Sequence, residues 1–95
     1  PEGSAIANFE RGCAQDSTGH SDLAVTLYRE ALASGLVGVR RRRASIQLAS
    51  SLRNMGSPQE AVDILTLEIS STSDELDGAV SVFLSLALGG CWARA

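Results

Sequence analysis

Residues 21–35 read Ser21-Asp22-Leu23-Ala24-Val25-Thr26-Leu27-Tyr28-Arg29-Glu30-Ala31-Leu32-Ala33-Ser34-Gly35. Leu23, Ala24, Leu27, Tyr28, Ala31 and Leu32 recur at the i, i+4, i+8 spacing of one helical stripe, which predicts an amphipathic helix from Asp22 to Ser34. Ser21 is the expected N-cap, and Asp22 complements the positive first turn. Gly35 is the expected stop, because it accepts φ > 0 without a Cβ clash.

Working outward, Ser57-Pro58-Gln59-Glu60 combines an N-cap hydroxyl, Pro at the first helical position and Glu two residues later, a capping box that opens a helix from Pro58 to about Ile69. Between these two helices, Val39 to Met55 carries Leu48, Ala49, Leu52 and Met55 on one stripe. Arg40, Arg43, Gln47, Ser50 and Asn54 lie on another, and Gly56 ends the segment. Thr72-Ser73-Asp74-Glu75 offers a second capping box, leading into Val80, Phe83, Leu84, Ala87 and Leu88 toward Gly89-Gly90. At the front, Ala5, Ile6, Phe9, Gly12 and Cys13 form a further stripe that ends near Ser17-Thr18-Gly19. Five helices joined by short turns are expected.

Composition agrees. The chain has 95 residues, enough for one core, with 44% apolar and 20% charged residues, which excludes wholesale disorder. Only 4% are aromatic, against a background rich in Ala and Leu, which disfavours a sheet-based domain. The apolar run from Ala79 to Leu88 is far shorter than the roughly 20 residues that span a bilayer. Pro1-Glu2-Gly3-Ser4 has no basic n-region followed by an apolar h-region. Cys13 and Cys91 are too few for a disulfide framework, so a soluble protein in a reducing cytoplasm is the expectation.

The net charge of −3 conceals a banded distribution. Residues 36–56 hold Arg40, Arg41, Arg42, Arg43 and Arg53 and no acid, whereas the flanks are both acidic. Every basic residue is Arg, whose planar fork suits bidentate recognition of carboxylate or phosphate.

The helices repeat in pairs. Gly19 and Gly56 stand 37 residues apart, and at that offset Ala24-Val25 matches Ala61-Val62, Leu27 matches Ile64, Tyr28 matches Leu65 and Leu32 matches Ile69. The spacing resembles the tetratricopeptide repeat, whose period is about 34 residues and whose pattern sets a Leu and a small residue ahead of an Ala-x3-aromatic element. Leu48-Ala49, Leu52 and Ala61-x3-Leu65 fit that pattern, as do Gly12 and Ala24-x3-Tyr28-x2-Ala31, and Leu84-Ser85-x2-Leu88 begins it again. The family's Trp and its closing Pro are missing, and Arg11 and Gln15 hold positions that are usually apolar. The runs Arg41-Arg42-Arg43-Ala44, Gln47-Leu48 and Ser51-Leu52-Arg53-Asn54 particularly resemble small stand-alone bacterial members.

The resemblance implies an all-α helical repeat in one domain, 1–95, with one repeat at 4–35, a second at 38–71 and a terminal helix at 73–92. It implies a non-enzymatic scaffold that binds another protein through a concave groove lined by first helices. On this chain that groove would present Arg43, Gln47, Ser50, Arg53 and Asn54 to a peptide that is acidic or ends in a carboxylate. Two other readings of Arg40–Arg43 stay open. The run either solvates its helix and pairs with neighbouring acids, or forms the basic helix of a DNA-binding helix-turn-helix, a reading opposed by the acidic net charge.

No catalytic set converges: the sole histidine, His20, sits in a turn beside Ser21 and Asp22, where a cap or solvated role is expected. No metal or cofactor is expected, since the cysteines lack ligand spacing and read as small apolar residues, and Gly35-Leu36-Val37-Gly38 reads as a turn between units. Asp74, Glu75 and Asp77 read as complements to a helix dipole. Finally, the terminal helix is apolar around much of its circumference, which predicts a homodimer through residues 76–92, with Val82, Phe83, Leu86 and Trp92 at the contact. A fold-back of the Cys91-Trp92 tail after Gly89-Gly90 is the monomeric alternative.

Overall fold

The computed structural model describes residues 2–71 and 76–92, with side chains described for 3–70 and 76–87. Five helices occupy these residues: α1 (Glu2–Ser17), α2 (Ser21–Ala33), α3 (Gly38–Asn54), α4 (Pro58–Ser71) and α5 (Asp77–Trp92). Among the described residues there is no strand, so the all-α expectation holds. The second capping box, at 72–75, and the side chains of Leu88, Cys91 and Trp92 lie outside the described residues. The backbone of α5 runs on through Gly89-Gly90 to Trp92, so the helix break on which the monomeric alternative relied is not made.

Each helix packs on the next, and α3 also touches α1 and α5. The result is a two-layer slab of 45 × 29 × 17 Å, with α1, α3 and α5 in one layer and α2 and α4 in the other. Between the first four helices the turns are three or four residues long, and so short a link can only fold a helix back on its predecessor.

The turns after α2 and α3 share one device. At the end of α2, the Leu36 N–H donates to the Ala31 carbonyl (3.3 Å) and the Gly35 N–H to that of Leu32 (3.4 Å). After α3, Ser57 donates to Leu52 (2.8 Å) and Gly56 to Arg53 (3.1 Å). Both are Schellman closures, and both require the left-handed backbone that Gly35 (φ +97°) and Gly56 (φ +86°) adopt. The closure after α3 also explains why the capping box at Ser57 is not formed. The Ser57 N–H is already engaged by Leu52, and Glu60 instead accepts a bond from Arg29 of α2 at 2.8 Å. Likewise Ser21 is not the cap of α2: the N-cap position falls on His20, and Ser21 is the first helical residue.

The core is built from small residues at helix crossings and a few large ones between them. Ala24, Ala31, Ala44, Ala49 and Ala61 are fully enclosed, with Phe9, Tyr28, Leu48, Leu52, Leu65 and Val80 filling the intervals. Bare methyl groups at the crossings let the backbones approach closely enough for the larger side chains to interdigitate. The stripe of α2 is rotated from its expected position: Val25 is buried, whereas Leu23 is 48% exposed and Leu27 only half-buried. Phe83 is likewise half-buried, packed against the edge of the core.

Among the described residues, Tyr28 is the largest ring that is fully enclosed. Its hydroxyl donates to Asp16 Oδ2 at 3.2 Å, and its ring lies 6.1 Å from that of Phe9. Burial, and then the Cys13 thiol and Asp16 carboxylate beside it, pushes the phenol far above its ordinary pKa.

Candidate functional site

The four consecutive arginines of α3 divide by direction, because successive helical residues turn by about 100°. Arg42 points inward and is 1% exposed, on the same side of α3 as Ser45, Ala49 and Leu52. Its Nη1 donates to Asp77 Oδ1 of α5 at 2.7 Å, and its Nε lies 3.5 Å from Glu68 Oε1 of α4. Glu68 is itself only 3% exposed. Arg41, half-buried, completes the arrangement with bonds of 3.1 and 3.3 Å to the two Glu68 oxygens. Two arginines and two acids thus tie α3, α4 and α5 together at one end of the slab. Pairing with acids of neighbouring helices, one of the readings left open above, is realised for Arg41 and Arg42. Asp77 does more than complement the dipole of α5, since it closes this cluster.

Arg43 points the other way. Its side chain is exposed on the layer formed by α1, α3 and α5, and its guanidinium carbon sits 5.9 Å from the centre of the Phe9 ring of α1. That distance is within the range of a cation–π contact. Among the described residues, no carboxylate pairs with Arg43, in contrast to Arg29, Arg41 and Arg42. Beside it opens a pocket of about 110 Å³ between α3 and α5, lined by Arg43, Ile46, Gln47, Leu76, Ala79 and Phe83.

Gln47, Ser50 and Asn54 follow Arg43 at intervals of four, three and four residues, which keeps all four on one narrow stripe of α3. Gln47 and Ser50 are half-buried and Asn54 is exposed. Arg53 is half-buried and sits at the edge of the stripe. The pocket brings Arg43 and Gln47 together, while Ser50, Arg53 and Asn54 continue the polar surface beyond it.

The residues expected at a self-association surface separate. Val82 (59% exposed) and Leu86 share a shallow outer patch of α5 with Ser81 and Ser85, whereas Phe83 turns to the pocket against α3. Cys13 is a free thiol packed at the core edge, and His20 occupies the N-cap position of α2 without a side-chain cap bond, its exposed ring instead placing Nδ1 2.9 Å from Thr18 Oγ1. Among the described residues, no three His, Cys, Asp or Glu side chains cluster to hold a metal, and no helix is long and apolar enough to cross a membrane.

A family model described as the tetratrico peptide repeat matches residues 5–92. No curated protein and no solved structure matches the chain.

Proposed function

The chain belongs to the tetratricopeptide repeat family, whose repeats mediate protein–protein interaction, and from that premise we propose that it is a non-enzymatic scaffold binding an acidic or carboxylate-terminated peptide on the face of α1, α3 and α5. In this reading the chain comprises two helix-turn-helix units, 4–35 and 38–71, followed by a terminal helix, and Arg43, Gln47, Ser50, Arg53 and Asn54 contact the peptide. The observation that carries it is Arg43: an exposed cation, steadied by Phe9, facing the layer of first helices without a carboxylate of its own among the described residues. A charge-assisted bond from such a group is roughly twice as strong as a neutral one. Gln47 and Asn54 add side-chain amides that can both donate to and accept from an extended peptide backbone.

The division of the arginine run supports a protein partner over nucleic acid. Arg41 and Arg42 are occupied by Glu68 and Asp77, which interrupts the sustained basic face that counterion release needs.

Fluorescence anisotropy tests the proposal with three labelled peptides: an acidic one with a free carboxylate, the same sequence amidated, and a basic one. The acidic carboxylate should bind saturably, with amidation and the Arg43→Ala/Arg53→Ala double substitution each weakening it. Absence of saturable binding by all three, or salt-sensitive binding of duplex DNA in their place, contradicts the proposal.

A further inference from the structure

The pocket between α3 and α5 has a size that selects its occupant. At about 110 Å³ it is well below the roughly 300–1,000 Å³ of sites for small-molecule ligands and cofactors. It is also smaller than a cavity of about 150 Å³ that accepts benzene. One aliphatic side chain fills it. Its walls suit that occupant, since Ile46, Leu76, Ala79 and Phe83 are apolar, and Ile46 is buried in the core while Phe83 and Leu76 pack against it, so the cleft is already formed. The rest of the wall is polar, from Arg43 and Gln47. Arg43 lines the same pocket, and its guanidinium faces no carboxylate among the described residues.

We propose that this pocket anchors one aliphatic side chain of the bound peptide while Arg43 takes an acidic group of the same peptide on the anchored residue or an immediate neighbour. The proximity follows from chain geometry: neighbouring Cα atoms are 3.8 Å apart, and Arg43 belongs to the pocket wall, so the acid cannot be far along the peptide. The ligand rule is therefore Leu, Ile, Val or Met adjacent to Asp or Glu, or one of those four as the C-terminal residue. Burial of the side chain supplies affinity, and the charge supplies register and selectivity. This inference rests on the peptide-binding reading above and adds the sequence that the peptide must carry.

A random heptapeptide library displayed with free C termini, sorted on the full chain, tests it. Wild type should enrich the aliphatic–acid pair, and replacing the aliphatic residue of the best peptide by Ala should weaken binding about tenfold or more, in line with the transfer free energy of a buried aliphatic group. Arg43→Ala, an exposed substitution that leaves the core intact, should keep the aliphatic preference, lose the acidic one and weaken the best peptide about tenfold. Ala79→Leu, which fills the pocket, should do the reverse; circular dichroism establishes that both variants fold. Enrichment of peptides without the pair, or a pair that Arg43→Ala and the peptide's own Ala replacement leave unaffected, overturns the anchor while leaving peptide binding standing. Failure of folded wild type to enrich any peptide overturns the peptide-binding reading itself.

Discussion

The ring of Tyr28 rests directly on Gly12: a Cβ added at Gly12 would lie 2.6 Å from Cε1 and 2.7 Å from Cδ1 of that ring. The ring has nowhere to retreat, because it is fully buried and its hydroxyl is held by Asp16. This contact fixes the crossing of α1 and α2, and with it the position of Phe9 under Arg43.

Gly12→Ala is therefore expected to destabilise the chain, although Ala is the better helix former by about 1 kcal/mol. Overpacking a closed site costs about 1–3 kcal/mol, so the net effect is a lowered midpoint in urea. A midpoint raised by the substitution would show that the ring can move aside.

Glu68 tests the buried charge cluster. Truncation to Ala leaves Arg42 enclosed without its α4 partner and should cost about 3–5 kcal/mol, as loss of one member of a buried pair generally does. Arg41→Ala should cost about 1 kcal/mol or less, since Arg41 is 38% exposed and its pairing is screened. Replacing the buried pair together, as Arg42→Met with Glu68→Leu, should recover most of the stability lost in Glu68→Ala. Equal small effects from all three variants, in urea unfolding, would remove the cluster from the account.

Tyr28 gives the chain an alkaline limit. A phenol whose pKa is raised on folding favours the protonated form in the native state, so its contribution is complete below the unfolded value of about 10 and declines as pH rises above it. Tyr28 is the only tyrosine, so phenolate absorbance reports it alone. The phenolate should appear together with unfolding, and Tyr28→Phe should flatten the dependence of the melting temperature on pH between about 9 and 11. Free titration of the phenol in the folded chain near pH 10 would contradict its burial.

Most of the fold is legible in spacing and punctuation. Gly35 and Gly56 end their helices because the closing bonds need φ > 0, and Ala24, Tyr28, Ala61 and Leu65 are buried because the repeat places them at crossings. What escapes is competition between neighbours for the same group. Ser57 and Glu60 form a good capping box on paper, yet the N–H they need belongs to the closure of α3, and Arg29 of α2 takes Glu60.

The charge cluster was half legible. At the 37-residue offset, Glu68 falls where the first unit has the fully buried Ala31, and Arg42 lies one turn from Ser45 on the buried side of α3. An acid and an arginine on facing apolar stripes signal a buried pair, but spacing alone does not say which member of a run of four arginines turns inward. At the candidate site, the polar stripe through Arg43, Gln47, Ser50 and Asn54 follows from helical periodicity. The pocket beside it does not, because Phe83 and Ala79 come from α5 and Leu76 from the residue just before it, and the seating of α5 against α3 is a tertiary fact.

The central claim is that the layer of α1, α3 and α5 receives a peptide at Arg43. Amide chemical-shift mapping of the ¹⁵N-labelled chain, titrated with an acidic peptide ending in Leu with a free carboxylate, tests it most directly. The account requires saturable shifts concentrated at Phe9, Arg43, Gln47, Ser50 and Ala79, diminished by Arg43→Ala. Shifts confined to the outer surfaces of α2 and α4, or none at saturating peptide, would contradict it.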